Sequence, residues 1–418
     1  MIEKKRILLF RKTLAHEGGA ERLMLEIAKW FIKFGYEVRV VSVKGKNTVS
    51  LFDGAYADVP IASFHEGNYP THIFWKIWIS LSSVGRLRKE IKIFRPDILL
   101  GQNPADAELL YLASLGMRIP YATFLYASFF NFPEDGLKYM APFNRVFTKV
   151  RNSISGHQAF IPLENPVRGF FARLALQCRA WMNYFVVRRA AYAFSMTRRM
   201  AWENEQFYSR PVIDIKSGVN PSFFNYKSKK DMRAKYGFPP DAKILVDISR
   251  LIPGKRIDLC IRTIAELKKK RNDIYFVVGG RGPEDKNLEA LIKELRVESH
   301  AVLAGFVAEE DLLDLYASAA AIFHPAWIDF DLTVMEGLSL RKKVICSTDY
   351  DLSGDLGELK GKMLFEANPD PVSMARVIEH ALNTESILVA EAERTLNKFT
   401  WEAYSQNIAS YLFHTTRR

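Results

Sequence analysis

The sequence predicts an α/β protein built from two doubly wound domains with parallel sheets. The chain has 418 residues, enough for two or three domains at roughly 150 residues each. Hydrophobic residues make up 48% and charged residues 25% of the chain, a balance that excludes a disordered or fibrous protein. Short apolar runs alternate with longer helical patterns in both halves of the chain, which favours parallel strands connected by helices.

The first alternating series lies in the N-terminal half. A short apolar run is followed by a glycine turn, a pattern of helical spacing and a second strand. The predicted strands are at 7–10, 37–43, 97–100 and 121–125, and the predicted helices cover 23–31 and 105–115. Ligands of such a sheet bind at the carboxyl ends of its strands.

The second series begins near residue 240. Its predicted strands are at 244–246, 274–278, 301–303, 320–323 and 344–345. A polar stretch rich in Gly, Asn, Pro and Ser separates the two series, as is typical of a domain linker. We therefore predict an N-terminal domain over 1–215, a linker over 216–226 and a C-terminal domain over 227–398.

Cysteine spacing and hydropathy narrow the class of protein. The three cysteines lie more than 80 residues apart, so neither a disulfide framework nor a metal site is expected, and a reducing cytosolic compartment fits best. The apolar run after the basic N-terminus is too short for a signal peptide. No uncharged stretch reaches the ~20 residues needed to span a bilayer.

The net charge of +12 is concentrated in one segment. Residues 136–200 contain eleven Lys or Arg against one acid, Glu164, with aromatic residues interleaved. This composition is typical of a surface that meets phosphates beside an apolar phase. We expect a membrane-facing segment over about 128–200, with 136–200 contacting an anionic membrane. A solvated basic face or a nucleic-acid surface are the alternatives.

Several short motifs resemble glycosyltransferase family 4, and they stand in that family's order over nearly the whole chain. They are Gly18-Gly19-Ala20-Glu21-Arg22, Ser217-Gly218-Val219-Asn220, Ser249-Arg250-Leu251, Lys255-Arg256-Ile257-Asp258, Gly280-Arg281-Gly282-Pro283, Leu303-Ala304-Gly305-Phe306-Val307, Phe330-Asp331-Leu332-Thr333-Val334-Met335-Glu336 and Phe399-Thr400-Trp401-Glu402. The resemblance implies the GT-B fold, two Rossmann-like domains facing a cleft. It also implies a closing helix over 399–418 that returns to the N-terminal domain.

The resemblance implies that Arg250 and Lys255 hold the diphosphate of the donor. Both residues follow the strand ending at Ile248, where a doubly wound sheet binds ligands. Preorganised cations stabilise the charge that develops on a leaving diphosphate, and a helix starting near Arg256 adds its positive end. Ordinary surface charge is the alternative. Glu336 matches the family glutamate that accepts hydrogen bonds from ribose hydroxyls, with helix capping as its alternative.

The sequence departs from the family in two places. Ile328 stands where the family has its first glutamate, so either Asp329 or Asp331 replaces that acid, or the donor sugar is held differently, or activity is low or absent. The histidines that many relatives carry in the N-terminal half are missing. His16, Asn103 and Tyr126 are the acceptor-side candidates. The expected donor-binding residues are Gly18, Gly19, Gly280, Gly282, Gly305, Phe306, Asp329, Phe330, Asp331 and Leu332.

The resemblance, together with these residues, predicts a retaining, metal-independent glycosyltransferase without a cofactor. The expected partners are a nucleotide diphosphate sugar and a lipid-linked or glycan acceptor at the cytoplasmic face of the membrane, with the protein bound peripherally. One alternative is a soluble saccharide synthase of the same fold. Another is a catalytically silent binding or scaffold subunit. A nucleic-acid partner is not expected, because the chain has no recognised nucleic-acid-binding module.

Overall fold

The computed structural model describes residues 4–14, 19–45, 54–65, 73–126, 140–152, 169–219, 223–224, 226–326, 332–350, 352, 356–385 and 389–414. Within these residues the chain forms two parallel sheets with helices between the strands. The prediction of two doubly wound domains is therefore confirmed.

The N-terminal sheet has seven parallel strands in the order β3-β2-β1-β4-β5-β6-β7. The strands are β1 (Arg6–Leu14), β2 (Glu37–Gly45), β3 (Ile61–His65), β4 (Ile98–Gly101), β5 (Tyr121–Phe124), β6 (Tyr192–Ser195) and β7 (Ile213–Asp214). The helices are α1 (Gly19–Lys33), α2 (Ile73–Phe94), α3 (Pro104–Ser114), α4 (Asn144–Asn152), α5 (Phe170–Arg189) and α6 (Arg198–Tyr208).

The C-terminal sheet has six parallel strands in the order β10-β9-β8-β11-β12-β13. The strands are β8 (Lys243–Ile248), β9 (Ile274–Gly279), β10 (Ala301–Gly305), β11 (Ala319–His324), β12 (Lys343–Ser347) and β13 (Leu364–Ala367). The helices are α7 (Met232–Lys235), α8 (Ile257–Lys268), α9 (Asp285–Glu294), α10 (Glu309–Ser318), α11 (Leu332–Ser339), α12 (Pro371–Asn383), α13 (Val389–Leu396) and α14 (Trp401–Ala409).

The central strands are apolar on both faces because helices cover both sides of each sheet. In β1, Ile7 and Leu9 belong to one buried cluster while Leu8 and Phe10 belong to another. The cluster that contains Ile7 and Leu9 also contains Val246 of β8. One apolar core therefore continues from the first sheet to the second.

The C-terminal helix α14 returns to the N-terminal domain, as predicted. Its residues Trp401 and Tyr404 lie in the shared core beside residues of α1. The backbone N–H of Val219 donates to the carbonyl of Phe399 at 2.8 Å. A Cβ atom at Gly218 would lie 2.2 Å from the backbone nitrogen of Trp401, so only glycine allows this close approach.

The described part of the chain lacks two kinds of feature. None of its helices combines the length and the apolar character required to cross a bilayer. Nor does it contain a cluster of three His, Cys, Asp or Glu side chains that could hold a metal ion.

Candidate active site

Three loops at the carboxyl edge of the C-terminal sheet form one continuous surface. The backbone N–H of Leu251, after β8, donates to the carbonyl of Arg281 at 3.1 Å. The N–H of Gly280, after β9, donates to the carbonyl of Gly305 at 2.7 Å. Because backbone bonds join these loops, Arg250 is fixed relative to the loops after β9 and β10.

Gly280 and Gly282 are required for that loop packing. A Cβ atom at Gly280 would lie 1.8 Å from the carbonyl oxygen of Ser249, and one at Gly282 would lie 2.1 Å from that of Leu251. Gly280 also has a φ of +139°, which strains other residues. The structure shows that these glycines are needed for loop packing. Their role in donor binding stays a prediction.

The three neighbouring cations of the predicted site have different environments. Arg250 is exposed, whereas Lys255 is only 8% exposed at the end of a 3₁₀ turn (Pro253–Lys255). The guanidinium of Arg256 lies 2.8 Å from the carboxylate of Asp349, which is buried, and 3.2 Å from the hydroxyl of Ser347. Arg256 therefore holds the start of α8 against the end of β12, and Arg250 is directed to solvent.

Glu336 lies on α11, which packs tightly against β11. A Cβ atom at Gly337 would lie 2.4 Å from Ile322, and the hydroxyl of Thr333 donates to the carbonyl of Ile248 at the end of β8. Glu336 is 8% exposed and accepts a 2.8 Å hydrogen bond from the hydroxyl of Tyr316. Because α11 begins at Leu332, Glu336 lies beyond the first turn and does not cap this helix.

The two domains meet where α1 and α11 begin. A Cβ atom at Gly19, the first residue of α1, would lie 3.7 Å from the side chain of Leu332, the first described residue of α11. The N-terminal end of a helix carries a partial positive charge, so an anion near this contact is stabilised by both helices. The other site residues predicted here lie outside the described residues: His16, Gly18, Asp329, Phe330 and Asp331.

The acceptor-side candidates Asn103 and Tyr126 lie together at the carboxyl edge of the N-terminal sheet. The side chain of Asn103 caps α3 by accepting a 2.9 Å hydrogen bond from the backbone N–H of Asp106. The hydroxyl of Tyr126 donates to the side-chain oxygen of Gln102 at 3.1 Å. Burial raises the pKa of Tyr126 well above its ordinary value. Both candidates line a cavity of about 210 Å³, whose other walls are Pro104, Ala105, Leu125, Met140, Phe143, Arg179, Asn183, Asn204 and Tyr208.

A buried acid beside this cavity was not predicted. Asp106 is fully buried, and one carboxylate oxygen accepts a 2.8 Å hydrogen bond from the backbone N–H of Lys12. Burial raises the pKa of Asp106 to about 7, although the Lys12 hydrogen bond and the charge of Arg11 lower it. In the sequence, an aspartate in the first turn of a helix indicates only a favourable interaction with the helix dipole.

A buried pair of polar side chains, which was also not predicted, joins the central strands β8 and β11 of the C-terminal sheet. Nδ1 of His324 lies 3.0 Å from each carboxylate oxygen of Asp247, and both side chains are fully buried. The pair links the ends of β11 and β8, just before the loops that carry the predicted donor residues. His324 is therefore a buried core residue of the C-terminal sheet.

Comparisons with known proteins identify the family to which the chain belongs. The family Glycosyl transferases group 1 matches residues 228–399, and Glycosyltransferase Family 4 matches residues 17–209. An uncharacterized glycosyltransferase of Methanocaldococcus jannaschii is 24% identical over 232 residues, which are 53% of this chain and 59% of that protein. The chain thus spans less than two thirds of the length of this curated relative.

Two solved structures share the fold over almost their whole length. A glycosyltransferase from Rickettsia africae has a TM-score of 0.69 and 18% identity, covering 99% of this chain and 100% of that one. Anabaena HepE in complex with UDP and glucose has a TM-score of 0.69 and 17% identity, covering 98% and 99%. Together the two family matches cover both sheets, and the solved structures have the same two-domain architecture. The chain belongs to glycosyltransferase family 4 (Glycosyl transferases group 1) and has the GT-B fold.

Proposed function

We propose that this protein transfers a sugar from a nucleotide diphosphate sugar to an acceptor, with retention of anomeric configuration. One observation carries the proposal: Arg250 and Lys255 lie at the carboxyl edge of the C-terminal sheet, in loops fixed by backbone hydrogen bonds. The N-terminal end of α8 follows them directly, and the starts of α1 and α11 are in contact nearby. Each of these groups favours negative charge.

The chemistry of the reaction requires such an environment. The bond between the anomeric carbon and the diphosphate oxygen breaks as the bond to the acceptor hydroxyl oxygen forms on the same face of the sugar. The acceptor proton passes to the leaving diphosphate, so no protein base is needed. Negative charge grows on the diphosphate in this step, and a buried cation such as Lys255 stabilises it more strongly than a solvated one.

The remaining donor contacts are part of the proposal and rest on the family resemblance and on the exposure of Phe306. In this proposal, Glu336 accepts hydrogen bonds from the ribose hydroxyls, and the side chain of Phe306, 70% exposed after β10, packs on the base. Asp329 or Asp331 binds the transferred sugar in place of the glutamate that Ile328 replaces. The Anabaena structure, which has the same fold, contains UDP and glucose, and this supports a nucleotide sugar as the donor.

Thermal unfolding with a panel of UDP-, GDP- and ADP-sugars tests the donor part of this proposal. A donor at 100 times its Kd stabilises the folded protein by about 2.7 kcal/mol, so we expect at least one donor to raise the Tm by several degrees. The Arg250→Ala variant should lose most of that rise. Arg262→Ala, which removes an exposed arginine of α8, should keep it.

The outcomes separate transfer from binding alone. No response to any donor would contradict nucleotide-sugar binding. Protection without consumption of the donor, in the presence of a range of sugar and lipid-linked acceptors, would favour the catalytically silent subunit, which the replacement at Ile328 suggests.

We further propose that the acceptor is lipid-linked and that α5 binds the membrane surface. Only three of the twenty residues of α5 are buried. Phe170 and Phe171 are 72% and 83% exposed, and the guanidinium of Arg189 lies 5.1 Å from the ring centre of Phe185. Each basic side chain near an anionic surface contributes about 1 kcal/mol. Because Arg179 of α5 also lines the cavity beside Asn103, an acceptor head group could enter that cavity from the membrane.

Flotation with liposomes tests membrane binding by α5. We expect more protein to float with anionic than with neutral vesicles, and less to float as salt concentration rises. Replacing Arg188 and Arg189 by Glu, or Phe170 and Phe171 by Ser, should lower recovery. Replacing Lys269 and Lys270 by Glu, an equal charge change on the C-terminal domain, should not. Equal recovery with both kinds of vesicle would contradict the proposal and favour a soluble acceptor.

A further inference from the structure

Two exposed side chains lie on neighbouring outer loops of the C-terminal sheet. Arg281 follows β9 and Phe306 follows β10, and both are exposed. Outside α5, Phe306 is the one largely exposed Phe or Trp among the described residues. A large aromatic side chain at a ligand-binding edge is available to pack on a bound ligand.

The side chain of Arg281 packs against the backbone at Gly305, the residue before Phe306. A Cβ atom at Gly305 would lie 3.0 Å from Nη2 and 3.3 Å from Cζ of Arg281. The guanidinium therefore lies over the residue that precedes Phe306. Gly305 has a φ of +67°, a conformation that glycine adopts without strain. Within the described residues, the Arg281 side chain forms no hydrogen bond or ion pair, so its N–H groups are available to a ligand.

The position of this pair along the sheet matches one end of a nucleotide. The strand order is β10-β9-β8, so the loops that carry Phe306, Arg281 and Arg250 follow one another along the edge. Adjacent strands are about 4.8 Å apart, which places the loop after β10 roughly 10 Å from the loop after β8. With the diphosphate at Arg250, a nucleotide extending along this edge has its base beside Arg281 and Phe306.

We infer that Arg281 and Phe306 form a base-binding pair that selects guanine nucleotides as donors. This inference rests on the proposed function, because it assumes that the diphosphate binds at Arg250. Arginine presents two N–H groups in a fixed fork, which matches the O6 and N7 acceptors of guanine. Adenine presents an amino donor beside N7, and uracil has an N–H donor between its two carbonyl oxygens, so neither base offers two adjacent acceptors. The ring of Phe306 stacks on any base and prefers none.

Calorimetric titration of GDP, UDP and ADP into the full-length protein tests this inference. We expect GDP to bind at least tenfold more tightly than UDP or ADP. Arg281→Ala should weaken GDP binding about tenfold and leave UDP and ADP unchanged, which abolishes the preference. Phe306→Ala should weaken all three nucleotides by a similar factor. Arg262→Ala, the exposed arginine of α8, serves as the matched control and should change none of them.

The outcomes distinguish this inference from the proposed function. A preference for UDP or ADP, equal affinity for all three, or an equal loss of all three in Arg281→Ala would overturn base selection by Arg281 while leaving nucleotide binding intact. Equal loss would instead indicate a contact between Arg281 and the diphosphate. If none of the three nucleotides binds the wild-type protein, the proposed function and this inference both fail.

Discussion

The carboxyl edges of the two sheets have the same parallel topology but different chemistry. At the C-terminal edge, cations reach the surface, and the buried acid Asp349 is paired with Arg256 at 2.8 Å. At the N-terminal edge, the buried acid Asp106 is held by a backbone N–H, and its pKa rises to about 7. One edge therefore suits an anionic diphosphate. The other, with amide and hydroxyl groups around a cavity, suits the hydroxyls of an acceptor.

The environment of a charged residue decides its role at these edges. Arg250 and Arg256 lie six positions apart in the chain, yet one is exposed and the other pairs with a buried carboxylate. Substitutions at these positions should therefore affect different properties of the protein. Substitutions at the two buried acids should likewise respond differently to pH.

The largest expected effect is a loss of stability in Arg256→Ala. This change leaves the carboxylate of Asp349, 1% exposed, without its cation. Breaking a buried pair in this way costs about 3–5 kcal/mol. Urea unfolding should show that loss in the free energy of unfolding, whereas Arg250→Ala should stay within about 0.5 kcal/mol of wild type. Similar stabilities for the two variants would show that Arg256 is no more important for folding than Arg250, and would contradict its structural role.

Asp106→Asn should stabilise the protein in a pH-dependent way. In the unfolded chain an aspartate titrates at about 3.9, but burial raises the pKa of Asp106 to about 7 in the folded state. The wild type therefore loses stability as pH rises from about 4 to 7 and keeps that loss above pH 7. A difference of about three pH units corresponds to about 4 kcal/mol.

Unfolding measurements from pH 4 to 8 check this prediction. The two proteins should have similar stability at pH 4, and Asp106→Asn should be more stable at pH 8 because it carries no buried charge. An advantage that does not change with pH would mean that Asp106 does not titrate in this range.

Turnover should fall at least 100-fold in Arg250→Ala and in Lys255→Ala. Removing one preorganised group that stabilises developing charge costs about 2.7–4 kcal/mol of barrier. Steady-state kinetics with the preferred donor would measure the loss in kcat, with Arg262→Ala as a control expected to match wild type. Full turnover in both folded variants would refute the assignment of the diphosphate to this edge.

The smallest expected effect is on nucleotide binding in Glu336→Gln. Gln keeps an oxygen for the hydroxyl of Tyr316 but loses the charge that strengthens hydrogen bonds to ribose hydroxyls. We expect about a tenfold loss of nucleotide affinity, or about 1.4 kcal/mol, with little change in Tm. Tyr316→Phe removes only the internal hydrogen bond and is the matched control. Unchanged affinity in Glu336→Gln would leave Glu336 a structural residue.

The sequence predicts the central strands better than the peripheral ones. β1, β4, β8 and β9 lie where their apolar runs predict them, because strands buried on both faces need continuous apolar residues. The outer strand β3 (Ile61–His65) is half-buried along its length and gives only a weak pattern. Such a strand is identified from its pairing with the neighbouring strand β2 and not from its own sequence pattern.

The candidate site is predictable in outline because its motifs are local. Arg250, Lys255 and Glu336 follow strands or stand on helices that the sequence already indicates. The pairs that organise the site are not local: Asp247 and His324 are 77 positions apart, and Arg256 and Asp349 are 93 apart. Arg281 lies over Gly305, next to Phe306 in the chain, only because β9 and β10 are neighbours in the sheet. These contacts depend on tertiary packing, so they cannot be predicted from the amino-acid sequence alone.

The anomeric configuration of the product tests the central claim most directly. The protein would be incubated with an α-linked nucleotide diphosphate sugar that protects it from heat, together with an acceptor, and the new glycosidic bond would be assigned by NMR. A same-face reaction at the edge that carries Arg250 predicts an α-linked product, and formation of this product should fall at least 100-fold in Arg250→Ala. A β-linked product, or equal formation in the two proteins, would contradict the account.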